Sequence, residues 1–131
     1  MKKQKLQDKY PIFSIEIAKK NCTGNNVEDI LKVLKEKIEA HPVAQFIAFF
    51  DHFSHTQNLE NGLISPEIIN AQIIIFCFGK KLENPLQLAV RPRSIGVTET
   101  NEKFILSFLD APNPAFNEVM EKWIKDLIKI L

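Results

Sequence analysis

The sequence predicts a single α+β domain in which two main helices cover one face of a sheet of about five strands. Strand-like segments alternate with two stretches whose apolar residues recur at three- and four-residue spacing. The 131 residues contain no internal repeat, low-complexity stretch or linker, and a chain of this length buries a core without disulfides. The predicted order is β-α-β-β-β-β-α, with residues 1–9 as a flexible basic tail and residues 10–131 as the domain.

The first predicted strand covers residues 10–19, where apolar side chains occupy every second position, at Phe13, Ile15 and Ile17. Asn26 can cap the helix that follows, which we place at residues 27–40. Its apolar residues repeat with a helical period: Val27, Ile30, Leu31, Leu34 and Ile38. Pro42 ends this helix, because the residue before a proline is pushed out of the helical conformation.

Two segments follow, at residues 43–53 and 71–78, in which apolar residues occupy both the odd and the even positions. Their aromatic and β-branched content favours two central strands, although a helix is an alternative for the first. A short helix closed at Gly62 can lie between them. Because both faces of these strands need cover, we expect the face opposite the main helices to meet the short helical segments or a second subunit, and we predict a homodimer.

The last third of the chain predicts a short helix, a hairpin and a long helix. Asn84-Pro85 can begin one or two helical turns over residues 85–90. Residues 94–100 and 103–110 are two strands joined by a tight turn. Asn113-Pro114 then begins the final helix, whose apolar stripe consists of Phe116, Val119, Met120, Trp123, Ile124, Leu127, Ile128 and Leu131.

The charge balance excludes one class of partner. Lys and Arg total 17 against 16 Asp and Glu, so the chain lacks the basic surplus of a dedicated nucleic-acid binder. No apolar run predicts a signal peptide or a membrane span, and we expect no membrane partner. Cys22 and Cys77 form no CxxC pair, which fits a reducing cytoplasm. The chain has only four glycines and no phosphate-binding loop, so we expect no cofactor.

Several short motifs occur in a shared order along the chain: Val27-Glu28-Asp29, Phe49-Phe50-Asp51-His52, Gly62-Leu63-Ile64-Ser65-Pro66, Ile74-Ile75-Phe76, Phe78-Gly79 and Arg91-Pro92-Arg93. Over roughly residues 10–112 the chain resembles the domain of unknown function family 302, DUF302. Two departures bring in positive charge: Lys80-Lys81 replaces the usual Asn-Pro, and two arginines replace the leucines that flank the hairpin's leading proline. The resemblance implies a compact α+β fold that often dimerises, with no established activity.

Asp51, His52 and His55 form the first candidate site. A histidine beside an acid can transfer protons near neutral pH, so His52 oriented by Asp51 is a candidate general base. His52 and His55 would share a helical face and are candidate metal ligands. The structural interpretation competes with both: Asp51 can cap the short helix, and His52 can hydrogen-bond a backbone carbonyl.

The second candidate site is the basic set Lys80, Lys81, Arg91 and Arg93. Arginine forks match phosphate and carboxylate groups, so this set can bind a small anionic ligand. The alternative is a solvated loop facing acidic side chains. Cys77, a third candidate as a nucleophile, lies among isoleucines and phenylalanines and is expected to pack as an apolar residue.

These observations predict a small dimeric binding or accessory module rather than an enzyme. We place its pocket where the strand ending at Asp51-His52 meets the loops at Gly79 and at Arg91 to Arg93. The alternative is an enzyme in which His52 and Asp51 act as an acid-base pair on a small anionic substrate held by the arginines.

Overall fold

The computed structural model describes residues 1–129, and Leu131 of the predicted apolar stripe lies outside this range. Six strands form one antiparallel sheet: β1 (Lys2–Leu6), β2 (Tyr10–Ala18), β3 (Gln45–Phe50), β4 (Asn70–Cys77), β5 (Arg93–Glu99) and β6 (Lys103–Leu109). The helices are α1 (Val27–Ala40), α2 (His52–Gln57) and α3 (Pro114–Lys125), with 3-10 turns at Lys19–Asn21 and Pro85–Val90. The predicted α+β class is confirmed, with six strands instead of about five.

The sheet has the order β1-β2-β6-β5-β4-β3. Strands β1 and β3 therefore form its two edges, and the last two strands, β5 and β6, lie at its centre. The predicted hairpin is present as β5 and β6. Helix α1 has the bounds predicted for it, and the Asn26 side chain accepts a hydrogen bond from the backbone N–H of Asp29 at 2.8 Å. Asn113 caps α3 in the same way, by accepting from the backbone N–H of Ala115.

The core lies between one face of the sheet and the two long helices. Every second residue of the central strands points into it, with Ile74, Phe76, Ile95, Val97, Phe104 and Leu106 fully buried. The helices contribute the residues that their periodicity predicts, including Leu34 and Ile38 of α1 and Met120 and Ile124 of α3. This packing is the main source of stability, because burying each such side chain contributes about 1.5 to 3 kcal/mol.

The N-terminal segment corrects the expectation of a flexible tail at residues 1–9. Residues 2–6 form strand β1, which pairs antiparallel with β2 from Lys2 opposite Ser14 to Leu6 opposite Tyr10. All five side chains of β1 are exposed, so the segment has no apolar alternation by which a strand is recognised. A lysine-rich edge strand therefore has the sequence pattern of a solvated tail.

Strand β3 corrects a second expectation, because it is an edge strand and not a central one. Its register with β4 shifts between Phe46 and Ala48, which leaves Ile47 as a bulge. The bulge places both Phe46 and Phe49 on the helix side, 5.0 Å apart between ring centroids. In this strand, the apolar residues at both odd and even positions result from the inserted residue. They do not indicate a strand that is buried on both faces. The strand also ends at Phe50, before the predicted position 53.

The face of the sheet opposite α1 and α3 is here called the open face. Its side chains come from the alternate residues of each strand, such as Ile73 and Ile75 of β4, which are half-buried. Small residues cross its middle, since Gly96 lies opposite Ser107 and Ser107 lies opposite Ser14. Helix α2 packs over the β4 end of this face. The open face is thus a shallow apolar surface between isoleucines, with little bulk at its centre.

Candidate functional site

The chain contains two arginines, Arg91 and Arg93, and both line one cleft of about 280 Å³. We call it the arginine cleft. Its walls are the end of β4 at Phe78 and Gly79, the 3-10 turn before β5, and the segment that leads into α3. The cleft lies on the helix side of the sheet, where Phe78 stacks on Phe116 at 4.5 Å between ring centroids.

Arg93 is the buried charge of this cleft, with 7% of its surface exposed. Its Nη2 donates to the backbone carbonyl of Leu109, while its Nε is buried and has no partner among residues 1–129. Burial lowers the pKa of Arg93, and the nearby charge of Asp110 acts in the opposite direction. The guanidinium remains a cation at neutral pH, because an arginine titrates far above this range.

Arg91 crosses the mouth of the cleft over Gly79. Its Nη1 donates to the backbone carbonyl of Lys81 at 2.8 Å. A Cβ atom on Gly79 would lie 2.9 Å from this Nη1 and 3.0 Å from Cζ, which is closer than van der Waals contact permits. A side chain at residue 79 would therefore push the Arg91 guanidinium away from its position, and the glycine leaves room for it.

Lys80 and Lys81 do not join the arginines in lining the cleft. Both side chains are exposed, and Nζ of Lys81 lies 3.8 Å from a carboxylate oxygen of exposed Glu83. Of the four basic residues grouped by the sequence, the structure brings only the two arginines together. The lysines flank the opening and contribute a diffuse positive field that salt screens.

Asp110, which precedes the cleft residues Ala111 and Pro112, connects this segment to α3 and to the edge strand. It accepts from the buried side-chain amide of Asn117, and its second oxygen lies 3.3 Å from Nζ of Lys3. The hydrogen bond from Asn117 lowers the pKa of Asp110, and Lys3 and Arg93 lower it further by their charge. Asn117 in turn accepts from the backbone N–H of Ala111 at 2.8 Å. The segment next to Arg93 is thus held by a satisfied polar network.

The structure does not pair Asp51 with His52. Asp51 is the N-cap of α2, as expected on the structural interpretation, and its two oxygens accept from the backbone N–H of Ser54 at 2.9 Å and from its hydroxyl at 3.0 Å. His52 Nδ1 lies 3.0 Å from the hydroxyl oxygen of Thr56. The ring is exposed and borders a second cavity, so the backbone carbonyl expected as its partner is replaced by a threonine.

His52 and His55 lie close together, with ring centroids 6.1 Å apart and nearly perpendicular planes. Phe50 contacts both rings, at centroid distances of 5.6 and 5.5 Å. Within residues 1–129, no cluster of three His, Cys, Asp or Glu side chains could hold a metal ion. Cys77 is half-buried on the open face, and its sulfur accepts from the backbone N–H of Gly79.

The expectation of one pocket shared by Asp51-His52 and the arginines is wrong. Strand β3 runs antiparallel to β4, and His52 comes two residues after Phe50, which pairs with Ile73, whereas the arginine cleft begins at Phe78. The five residue steps from Ile73 to Phe78 advance about 17 Å along the strand. The two sites also lie on opposite faces of the sheet. An anion held by the arginines is therefore out of reach of His52.

Sequence reasoning missed two features of these sites. The local sequence does not indicate that Arg93 is buried, because the apolar residues on the inward face of its strand begin only at Ile95. The second cavity has one signal that could have found it: Gly96 interrupts a strand that is otherwise rich in β-branched residues.

The sequence model of a protein family described as "Family of unknown function (DUF6858)" matches residues 1–129. No curated protein matches the sequence. Among solved structures, the crystal structure of the uncharacterised conserved protein DUF302 from Bacillus stearothermophilus has a TM-score of 0.59 to this chain. The identity is 16%, over 88% of this chain and 95% of that chain. This likeness confirms the fold implied by the resemblance to DUF302. In the described residues, each helix is too short or too polar to span a bilayer.

Proposed function

The chain belongs to the DUF6858 family, a family with no established activity, and we propose that it binds a small anion in the arginine cleft. The ligand group would be a phosphate or a carboxylate, since both present two or more oxygens that match the donor geometry of a guanidinium. The proposal makes the protein a binding or accessory module and assigns the binding to Arg91 and Arg93.

The observation that carries the proposal is the buried guanidinium of Arg93, which lines the cleft and is 7% exposed. Within residues 1–129 its Nη2 donates to the backbone carbonyl of Leu109, and its Nε is buried without an acceptor. A charge taken out of water is costly unless an opposite charge or hydrogen bonds compensate it. An anion in the cleft would lie beside this guanidinium and neutralise its charge.

The lining of the cleft supports binding in preference to catalysis. The described residues that form its walls include no serine, cysteine, histidine, lysine, tyrosine or carboxylate. Such groups serve as nucleophiles or general bases, and the arginines alone provide recognition of charge. Phe78 and Phe116 exclude water from one side, which strengthens the attraction between the guanidinium groups and an anion.

The test is a titration with inorganic phosphate and with citrate, followed by amide chemical shifts. We expect saturable shifts at Gly79, Arg91 and Arg93. Arg91→Gln should weaken binding at least tenfold, because it removes a charge-assisted hydrogen bond worth about 1.5 to 3 kcal/mol. Lys32→Gln, which removes an exposed positive charge from helix α1, is the control and should leave binding unchanged. Equal weakening by both variants, or no saturable shift, would refute the proposal.

We also propose that the protein is a homodimer through the open face. The support is the shallow apolar surface formed there by isoleucines around Ser107 and Ser14. Small residues at the centre allow two such surfaces to approach closely, and a two-fold interface uses the same surface twice. The oligomeric state in solution tests this part of the proposal.

A cytoplasmic location is the third part of the proposal. Cys22 is buried and Cys77 is half-buried, and both are free thiols. Free thiols are typical of reducing compartments. Burial raises the pKa of the Cys22 thiol, which keeps it in the less reactive protonated form. Fractionation of the native organism's cells, with detection by antibody, would test this location.

A further inference from the structure

A second cavity, of about 320 Å³, lies beneath α2 on the open face. We call it the α2 cavity. Its walls come from α2 and from the segment between α2 and β4, and its floor comes from β4 and β5. The side chains that shape it are mostly apolar: Phe53, Leu63, Ile64, Ile68 and Ile73. Apolar concave sites of this volume are typical of small-molecule binding sites.

Leu63 forms part of the rim, and 91% of its surface is exposed. The side chain therefore gains almost nothing from burial in the fold, although it borders an apolar hollow. Covering a leucine is worth about 1.5 to 3 kcal/mol. A ligand seated in the cavity would cover this side chain together with the half-buried Ile64 and Ile68.

Gly96 opens the floor of the cavity. It lies in the interior of β5, paired without a register shift to Ile73 on one side and Ser107 on the other. Its φ is not positive, and a Cβ there would meet only Ser107, at 3.6 and 3.9 Å. Neither backbone conformation nor crowding within residues 1–129 requires this glycine, even though a glycine weakens a strand. A glycine at such a position is expected where another molecule approaches the backbone.

The polar residues that line the cavity are His52, Thr56, Ser65, Gln72 and Thr98. The Thr56 hydroxyl oxygen lies 3.0 Å from Nδ1 of His52, which orients the imidazole ring along the wall. Nε2 of the same ring makes no hydrogen bond with another group in residues 1–129, and it can donate or accept according to the tautomer. Nε2 of His52 therefore offers a point of polar recognition beside the apolar walls.

From the apolar walls, the glycine floor and the oriented histidine, we propose that the α2 cavity binds a small amphiphile: an apolar body with one carboxylate or hydroxyl group, the latter held by His52. The apolar body lies between Ile73, Leu63 and the backbone at Gly96. This site differs from the arginine cleft in face, in chemistry and in position along β4, and the inference does not depend on the anion proposal.

The test uses octanoate and 1-octanol as probes, with isothermal titration and amide chemical shifts on the full chain. Wild-type protein should bind at least one of them saturably, with shifts at Leu63, Gly96 and Thr98. Gly96→Val places a β-branched side chain on the floor and should reduce the affinity at least tenfold. Ser94→Val places the same side chain on the same strand and face outside the cavity, and it should bind as the wild type does.

Three further variants separate the parts of the proposal. Leu63→Ser alters an exposed rim side chain that cannot be needed for folding, and it should weaken both probes. His52→Phe should weaken octanoate by about tenfold, the loss expected for a hydrogen bond to a charged group. Arg91→Gln should leave octanoate affinity unchanged, which distinguishes this site from the arginine cleft. Absence of saturable binding for both probes, or wild-type affinity in Gly96→Val, would overturn the proposal.

Discussion

The guanidinium of Arg91 lies where a side chain of residue 79 would be, since a Cβ on Gly79 would approach Arg91 Nη1 to 2.9 Å. Gly79→Ala should therefore displace Arg91 without straining the backbone, because the glycine does not adopt a positive φ. We expect phosphate affinity to fall several-fold while the urea midpoint stays close to that of the wild type. Loss of stability with unchanged affinity would show that Arg91 supports the fold and not a ligand.

Asn117 should be essential for stability. It is 9% exposed and bridges Asp110 and the backbone of Ala111 to α3. Asn117→Ala leaves a buried N–H and a carboxylate without their partner, so we expect a loss of about 1 to 3 kcal/mol in the free energy of unfolding. Urea denaturation measures this loss. Exposed Asn25→Ala is the control and should change the midpoint little.

Asp110 should make the stability depend on acid pH. Its pKa is lowered in the folded state, first by the hydrogen bond from Asn117. A lowered pKa contributes stability above the unfolded value, about 3.9, and this contribution is lost as the pH falls through the folded value. The difference in unfolding free energy between wild type and Asp110→Asn should therefore shrink below about pH 4. Exposed Glu60→Gln should show no comparable trend.

Strand β1 should be visible in hydrogen exchange. Backbone amides of Lys2–Leu6 that bond to β2 should exchange more slowly than those of a free peptide, yet faster than amides of β6. The reason is that β1 pairs along one edge only and buries none of its side chains. Random-coil exchange throughout residues 2–6 would restore the interpretation of this segment as a tail.

The homodimer predicts a specific disruption. Ile75 lies on the open face between Ala48 and Ser94, so Ile75→Glu would place a charge within the interface. Sedimentation velocity should give a dimer for the wild type and a monomer for Ile75→Glu, with the same circular dichroism spectrum. Ala115→Glu, an exposed change of equal charge in α3, should remain dimeric. A wild-type monomer at micromolar concentration would contradict the proposal.

The helices and the hairpin could be predicted from sequence because their signals are local. Asn26 with its helical repeat fixes the start of α1, and Pro42 fixes its end. The neighbours of β3 could not be predicted, because a bulge at Ile47 shifts the alternation by one residue and imitates a strand buried on both faces. The strand at Lys2–Leu6 was missed because its pairing uses backbone groups, which carry no sequence pattern.

The candidate site was predictable in part. Arg91 and Arg93 could be recognised by charge, and the structure brings them into one cleft. The distance between this cleft and His52 depends on the antiparallel pairing of β3 with β4, which places the start of one strand beside the end of the other. That pairing is a property of the whole fold, so local motifs could not separate the two sites.

The lysines of β1 also have a consequence for the behaviour of the protein at high concentration. An antiparallel sheet with a free edge can recruit further strands, and a neighbouring molecule that offered its own edge would begin a growing fibre. Lys2, Lys3 and Lys5 oppose the pairing of two copies of this edge, since two such strands cannot align without opposing like charges. The basic start of the chain thus disfavours association of two molecules through β1.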